Sequence, residues 1–212
     1  MSARATIFAA IEAAIGPAGD PAAIRAEALA LLAEPQRVRP VLPAGDLPDL
    51  FAAAVTRLPP GASSERIADL SDLPAAVARH LAGLSLPPSL KIQPVPDLAD
   101  LDWAASGLQP VEAVDDCVSI SLAETAIAET GSLVLRSGPR MGILDAFLPL
   151  HHLVAVRAAR IVPYLEDAVA EADLASTRNL VVVTGPSGTT DIEGSLVIGV
   201  HGPATLHILV VG

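Results

Sequence analysis

Cysteine is nearly missing from this chain: Cys117 is the only one in 212 residues. An intramolecular disulfide is therefore excluded, and so is an iron–sulfur cluster or thiolate zinc site built by this chain alone. Aromatic residues contribute only 2% while hydrophobic residues reach 51%, so a core has to be assembled from Ala, Val, Leu and Ile. Positive charge is also scarce. Lys91 is the only lysine, and a net charge of -11 disfavours nucleic acid and anionic membrane as partners, because both require a positive surface. No run approaches the roughly eighteen uninterrupted apolar residues of a membrane helix, so no membrane span is expected. Residues Met1 to Ile15 are apolar but interrupted by Glu12, with no small-residue cleavage site after them, which argues against a signal peptide. The expectation is a soluble, cytoplasmic protein. Its histidines show no metal-ligand spacing: His151 and His152 point to opposite faces of a strand, and His201 and His207 stand apart. No metal and no cofactor are expected.

The length suffices for one well-buried domain. The N-terminal third reads as helical. Ile7, Phe8, Ile11 and Ile15 share one helix face that Gly16-Pro17 ends. Asp20 caps a second helix with Pro21 at its first position, running to Pro35. Pro40, Pro43 and Pro48 mark a loop. From there strands and helices alternate: strands at Phe51–Leu58, Ile67–Leu70, Leu90–Val95 and His152–Val156, and helices after Ser71 or Asp72 and over Ile161–Ala172. Such alternation predicts a mostly parallel sheet with covering helices. The segments Ala126-Ile127-Ala128 and Leu133-Val134-Leu135 flank Glu129-Thr130-Gly131-Ser132 and read as an antiparallel hairpin. Asn179–Thr184 and Leu206–Val211 are expected to complete the sheet. Two segments follow: an N-terminal helical segment over residues 1–40 and an α/β domain over 41–212.

The densest local signal is Thr184-Gly185-Pro186-Ser187-Gly188-Thr189-Thr190-Asp191-Ile192-Glu193-Gly194, directly after the mostly β-branched run Asn179-Leu180-Val181-Val182-Val183. Glycines free the backbone and hydroxyls fill the hydrogen-bonding gaps of an irregular turn. Thr190-x-x-Glu193 matches a capping box, so the segment reads as strand, polar loop and helix start. In open α/β sheets ligands bind in such loops, at the carboxyl ends of strands. A loop joining a strand to a helix has the same composition with nothing bound. The segment is neither a Walker loop nor a dinucleotide fingerprint, since the Gly-Lys-Ser/Thr triplet and the Gly-x-Gly-x-x-Gly spacing are both absent. Glu129, beside hydroxyls and a glycine, has the chemistry of a general base or nucleophile, and equally that of a solvated turn residue. In Ser137-Gly138-Pro139-Arg140, Arg140 is the candidate clamp for a carboxylate or phosphate.

The ordered segments Ala126–Leu135, Gly185-Pro186-Ser187, Asp191-Ile192-Glu193-Gly194 and Gly199-Val200-His201-Gly202-Pro203 resemble the lactate utilization protein C family, the stand-alone form of the LUD domain. The resemblance is strong from about Glu124 to Val211. It implies an α/β fold with a Rossmann-like, mostly parallel sheet and an antiparallel hairpin, similar to ribose-5-phosphate isomerase and the CoA-transferases, preceded by the N-terminal helices. It also implies a non-redox part in oxidising L-lactate to pyruvate beside two iron–sulfur partner proteins. The family usually carries a basic residue after Gly-Pro-Ser and then Thr-Ala-Asp; here Gly188 and Thr190 stand at those positions. The alternative is an isomerase- or CoA-transferase-like enzyme acting on a small anionic metabolite, with Glu129 as base or nucleophile. The candidate ligand-binding residues are Thr130, Gly131, Ser132, Gly138, Arg140, Gly185, Pro186, Ser187, Thr189, Asp191, Glu193 and His201. The loops at Glu129–Ser132, Ser137–Arg140 and Gly185–Asp191 are expected at one rim.

Overall fold

Helix-start chemistry sets the first elements. The computed structural model describes residues 2–16, 19–112, 118–139, 142–172 and 178–212. The chain divides into two compact units, Met1–Leu42 and Pro43–Gly212. The first holds α1 (Ala3–Ile15), capped by the Ser2 hydroxyl, and α2 (Pro21–Ala33), capped by the Asp20 carboxylate with Pro21 in the first turn. A 3₁₀ turn at Pro35–Arg37 follows α2 in the same unit. No helix of the described residues is long and apolar enough to cross a membrane.

The second unit begins with α3 (Leu47–Val55), where the expectation was a strand over Phe51–Leu58. Capping decides this segment. The Asp46 carboxylate accepts from the Asp49 N–H, and Pro48 sits in the first turn. Alanines fill the helix, and Phe51, Ala54 and Val55 form its buried side. Next come β1 (Ala62–Ile67), α4 (Leu73–Gly83), β2 (Ser89–Ile92), the short α5 (Pro96–Ala99), β3 (Gln109–Pro110) and β4 (Val118–Leu122). The strand expected over Ile67–Leu70 therefore ends at Ile67, and Leu70–Asp72 is a 3₁₀ turn leading into α4. The predicted hairpin is present as β5 (Thr125–Ile127) and β6 (Ser132–Ser137). After β7 (His151–Arg157), the helix expected over Ile161–Ala172 is split. Ile161–Val162 form β8, and α6 (Leu165–Glu171) starts only after Pro163.

The main sheet has the order β1, β12 (Thr205–Val211), β7, β4, β2, β3, with every neighbouring pair parallel. Both faces are covered, which is why β12 reads as an almost continuous apolar run. On one face Val154, Val156, Leu206, Ile208 and Val210 pack with Phe51 and Val55 of α3 and with Ala126, Leu133 and Leu135 of the hairpin. On the other, Leu153, Ala155, Leu209 and Val211 pack with Leu73, Val77 and Leu81 of α4. This is the expected α/β class: a largely parallel central sheet with an antiparallel excursion and helices at the N-terminus.

The segment β9 (Asn179–Val183) does not complete the main sheet. It pairs antiparallel with β6 at the edge of a second sheet, in the order β8, β5, β6, β9. The helix expected after Thr190 is absent as well. Gly188–Thr190 form β10, which pairs antiparallel with β11 (Leu196–Ile198). Asp191 explains the outcome, because its carboxylate accepts from the N–H groups of Glu193 (3.0 Å) and Ser195 (2.8 Å) and closes a turn.

Candidate functional site

The glycine-rich loop after β9 meets the main sheet at the amino ends of its strands, not at their carboxyl ends. β1, β12, β7 and β4 begin in register at Ala62, Leu206, His152 and Ser119. Two backbone hydrogen bonds tie the loop to the turn that leads into β12: Ser187 N–H donates to Pro203 (2.8 Å) and Gly199 N–H to Ser187 (2.9 Å). Ala204 N–H in turn donates to Leu150, just before β7 (2.8 Å). The fit is close. A Cβ on Gly202 would stand 3.0 Å from that of Ser187, and one on Gly61 would overlap the carbonyl oxygen of Ala204.

Between these segments lies a cleft of about 250 Å³. Ala146, Phe147, Val182, Val183, Pro203 and Leu206 give it an apolar wall, and His152, Thr184, Ser187 and His201 supply side-chain polar groups. Of the sequence-predicted residues, Gly185, Ser187 and His201 line it directly. Pro186 is buried beside them, its ring toward Gly61.

The hairpin turn reaches the same place through hydroxyl groups. Thr130 Oγ1 lies 2.6 Å from Ser132 Oγ, which lies 2.7 Å from Thr184 Oγ1 at the cleft. Gly131 lets the turn form: its φ is +69°, and an added Cβ would press on the backbone of Val55 at 3.0 Å. Glu129 is half-buried and its N–H donates to Pro163, but its side chain is not among those lining the cleft.

Other candidates lie elsewhere. Ser137 and Gly138 stand at the far end of β6, where Ser137 pairs with Asn179, whereas Leu133 at the near end pairs with Val183. Thr189 lies within β10, and Asp191 and Glu193 occupy the exposed turn between β10 and β11. The three loops therefore do not share one rim. Arg140 lies outside the described residues, as does Cys117.

Sequence reasoning missed His152 as a cleft residue. It is 1% exposed, and its Nε2 lies 3.0 Å from Ser121 Oγ, itself 1% exposed. Burial pushes its pKa down to about 4, so the ring is neutral at pH 7. The alternation of β7 was the available signal, since it puts His152 on the face of Val154 and Val156.

His207 is not isolated either. Its ring stacks on that of His80 at 3.7 Å, and its Nδ1 lies 2.8 Å from Ser63 Oγ, on the opposite face of the sheet. Burial, and then the neighbouring His80, lower its pKa to about 4. No group of three or more His, Cys, Asp or Glu among the described residues is arranged to hold a metal ion.

Similarity to known proteins agrees with this architecture. A Lactate utilization protein C from Geobacillus thermodenitrificans is 35% identical over 117 residues, covering 51% of this chain and 49% of its own length. One from Bacillus licheniformis is 32% identical over 119 residues, covering 52% and 49%. This chain thus spans about half the length of the curated relatives it matches. The crystal structure of a DUF162 family protein from Deinococcus radiodurans superimposes with a TM-score of 0.55 at 23% identity, covering 78% of this chain and 96% of that one, which shows the fold. Residues 112–211, just under half of this chain, match the LUD domain family model.

Proposed function

We propose that this protein is a non-redox component of a lactate utilization system that works beside two iron–sulfur proteins in the oxidation of L-lactate to pyruvate. The observation that carries the reading is the coincidence of two facts. The matched relatives bear the name Lactate utilization protein C, and the segments Thr130–Ser132, Thr184–Ser187 and His201–Pro203, far apart in sequence, converge on one cleft. A single cysteine agrees with a division of labour in which electron carriers sit in the partners. Deleting the gene should abolish growth on L-lactate as sole carbon source, and a tagged copy should recover two cysteine-rich proteins. Normal growth of the deletion strain would refute the role.

One observation favours a second reading, that of an enzyme acting on a small anionic metabolite. The Thr130–Ser132–Thr184 hydroxyl series leads from the residue next to Glu129 to the cleft, as a proton path would. Glu129→Gln preserves shape and removes the charge. Loss of lactate-dependent growth with an intact fold would favour chemistry at Glu129, and unchanged growth leaves the turn a structural role.

A further inference from the structure

His152 borders the cleft although it is only 1% exposed, which places it at the closed end. Its Nδ1 is buried and has no hydrogen-bond partner among the described residues. The tautomer follows from counting. If Nε2–H donated to Ser121, both the serine proton and the Nδ1 lone pair would be unmatched, because Ser121 Oγ makes no other hydrogen bond among the described residues. If Ser121 donates to Nε2, the ring proton sits on Nδ1 and only that one group is left over. The second arrangement orphans fewer buried groups and is the favoured one. The closed end thus presents a neutral N–H donor that calls for an acceptor.

The lining limits what can carry that acceptor. Among the described residues it contains no Lys, Arg, Asp or Glu, so a phosphate or dicarboxylate would bring two charges with none of them to balance it. About 250 Å³ is too small for a nucleotide or a coenzyme. A hydroxyl at the closed end would accept from Nδ1–H but leave its own proton unmatched, whereas a carbonyl oxygen only accepts. The mouth differs. Thr184 and His201 are exposed there and Ser187 is partly so, and a single carboxylate can keep contact with water. Phe147, Val183 and Leu206 suit a short alkyl group.

We propose that this cleft binds a short-chain 2-oxo monocarboxylate, with the keto oxygen on His152 Nδ1–H and the carboxylate at the mouth beside Thr184. The assignment rests on the lactate reading only in placing the protein where such an acid is formed.

The test uses the full chain labelled with ¹⁵N-histidine and titrated with pyruvate, L-lactate, propionate and inorganic phosphate, with calorimetry in parallel. Pyruvate should bind saturably and shift the His152 ring nitrogens, which should show the Nδ1–H tautomer. Propionate lacks the α-oxygen and should bind about tenfold more weakly, the effect of one lost hydrogen bond. L-Lactate should fall between them. Thr184→Val, at an exposed position, should fold normally and weaken pyruvate several-fold. His152→Phe should abolish the preference for pyruvate over propionate; if it fails to fold, the wild-type nitrogen shifts carry the same information. Absence of saturable pyruvate binding, propionate equal to pyruvate, phosphate tighter than pyruvate, or an unmoved His152 resonance would each overturn the assignment. Growth separates it from the reading above: unaffected growth of the deletion strain on lactate removes the lactate role and leaves pyruvate binding standing. Lost growth with no pyruvate binding removes only this inference.

Discussion

Acidification should destabilise this fold well before its carboxylates are protonated. His152 and His207 both have pKa values of about 4 in the folded state, against about 6.5 in an unfolded chain. Below pH 6.5 the unfolded chain takes up protons that the folded one refuses. The stability from keeping these rings neutral is therefore complete above pH 6.5 and is lost progressively as pH falls toward 4. Between about pH 7.5 and pH 5 linkage gives a loss of about 2 kcal/mol for each ring, or about 4 kcal/mol together. The neighbours do not reverse the sign. His207 faces Ser63, which is neutral, and stacks on His80, whose own pKa is lowered by burial and His151 against the opposing pull of Glu65. His151, hydrogen-bonded to Thr205, is also shifted down by burial. For His152 burial alone is the cause. Urea unfolding at a series of pH values measures the effect, and His207→Asn isolates one ring while keeping a polar partner for Ser63. The variant should lose about half of the slope between pH 6.5 and 5. A wild-type stability that is flat across this interval, or a slope unchanged in His207→Asn, would refute the reasoning.

Three further outcomes follow from packing and charge. Phe51→Ala should cost about 3–5 kcal/mol in denaturant unfolding, because Phe51 is fully buried between α3 and the sheet. Gly61→Ala should lower the melting temperature markedly and cost about 2 kcal/mol or more, since φ is +100° and the new methyl would overlap the carbonyl of Ala204; a melt unchanged within error would contradict this. Arg136→Ala should cost about 1–3 kcal/mol, because it strands the part-buried Glu124 carboxylate that Arg136 holds through Nε (2.8 Å) and Nη2, and Glu124→Gln should restore part of the loss.

Local chemistry made much of the fold legible. The Asp20 cap, the Leu73–Val77–Leu81 stripe of α4, and the apolar runs of β7 and β12 all act within a few residues, so sequence alone places them. The β5–β6 hairpin belongs with them, since a four-residue turn with glycine joins two apolar segments. Segments with two local solutions were misjudged. Phe51–Leu58 is apolar enough for a strand, and only the Asp46 cap with a one-sided core turned it into the end of a helix. Thr190-x-x-Glu193 satisfies a capping box on paper, but Leu196–Ile198 lies within reach to pair, and Asp191 closes the turn between them.

Sequence by itself determined the composition of the core, the alternation that makes a mostly parallel sheet, and the hydroxyl- and glycine-rich segments that gather around the cleft. The resemblance carried by those segments pointed to the LUD domain. Tertiary structure decided where they meet. Because β9 pairs with β6 instead of joining the main sheet, the Gly185–Ser187 loop arrives at the amino ends of β7 and β12 and leaves Gly138 at the far end of the hairpin. It also decided the surroundings of His152. On the chain His152 is one of two adjacent histidines, but the register of β4 against β7 sets Ser121 on its Nε2 and leaves Nδ1 buried with no hydrogen-bond partner among the described residues. A hydrogen bond between residues thirty-one positions apart depends on strand pairing, and no local pattern encodes it.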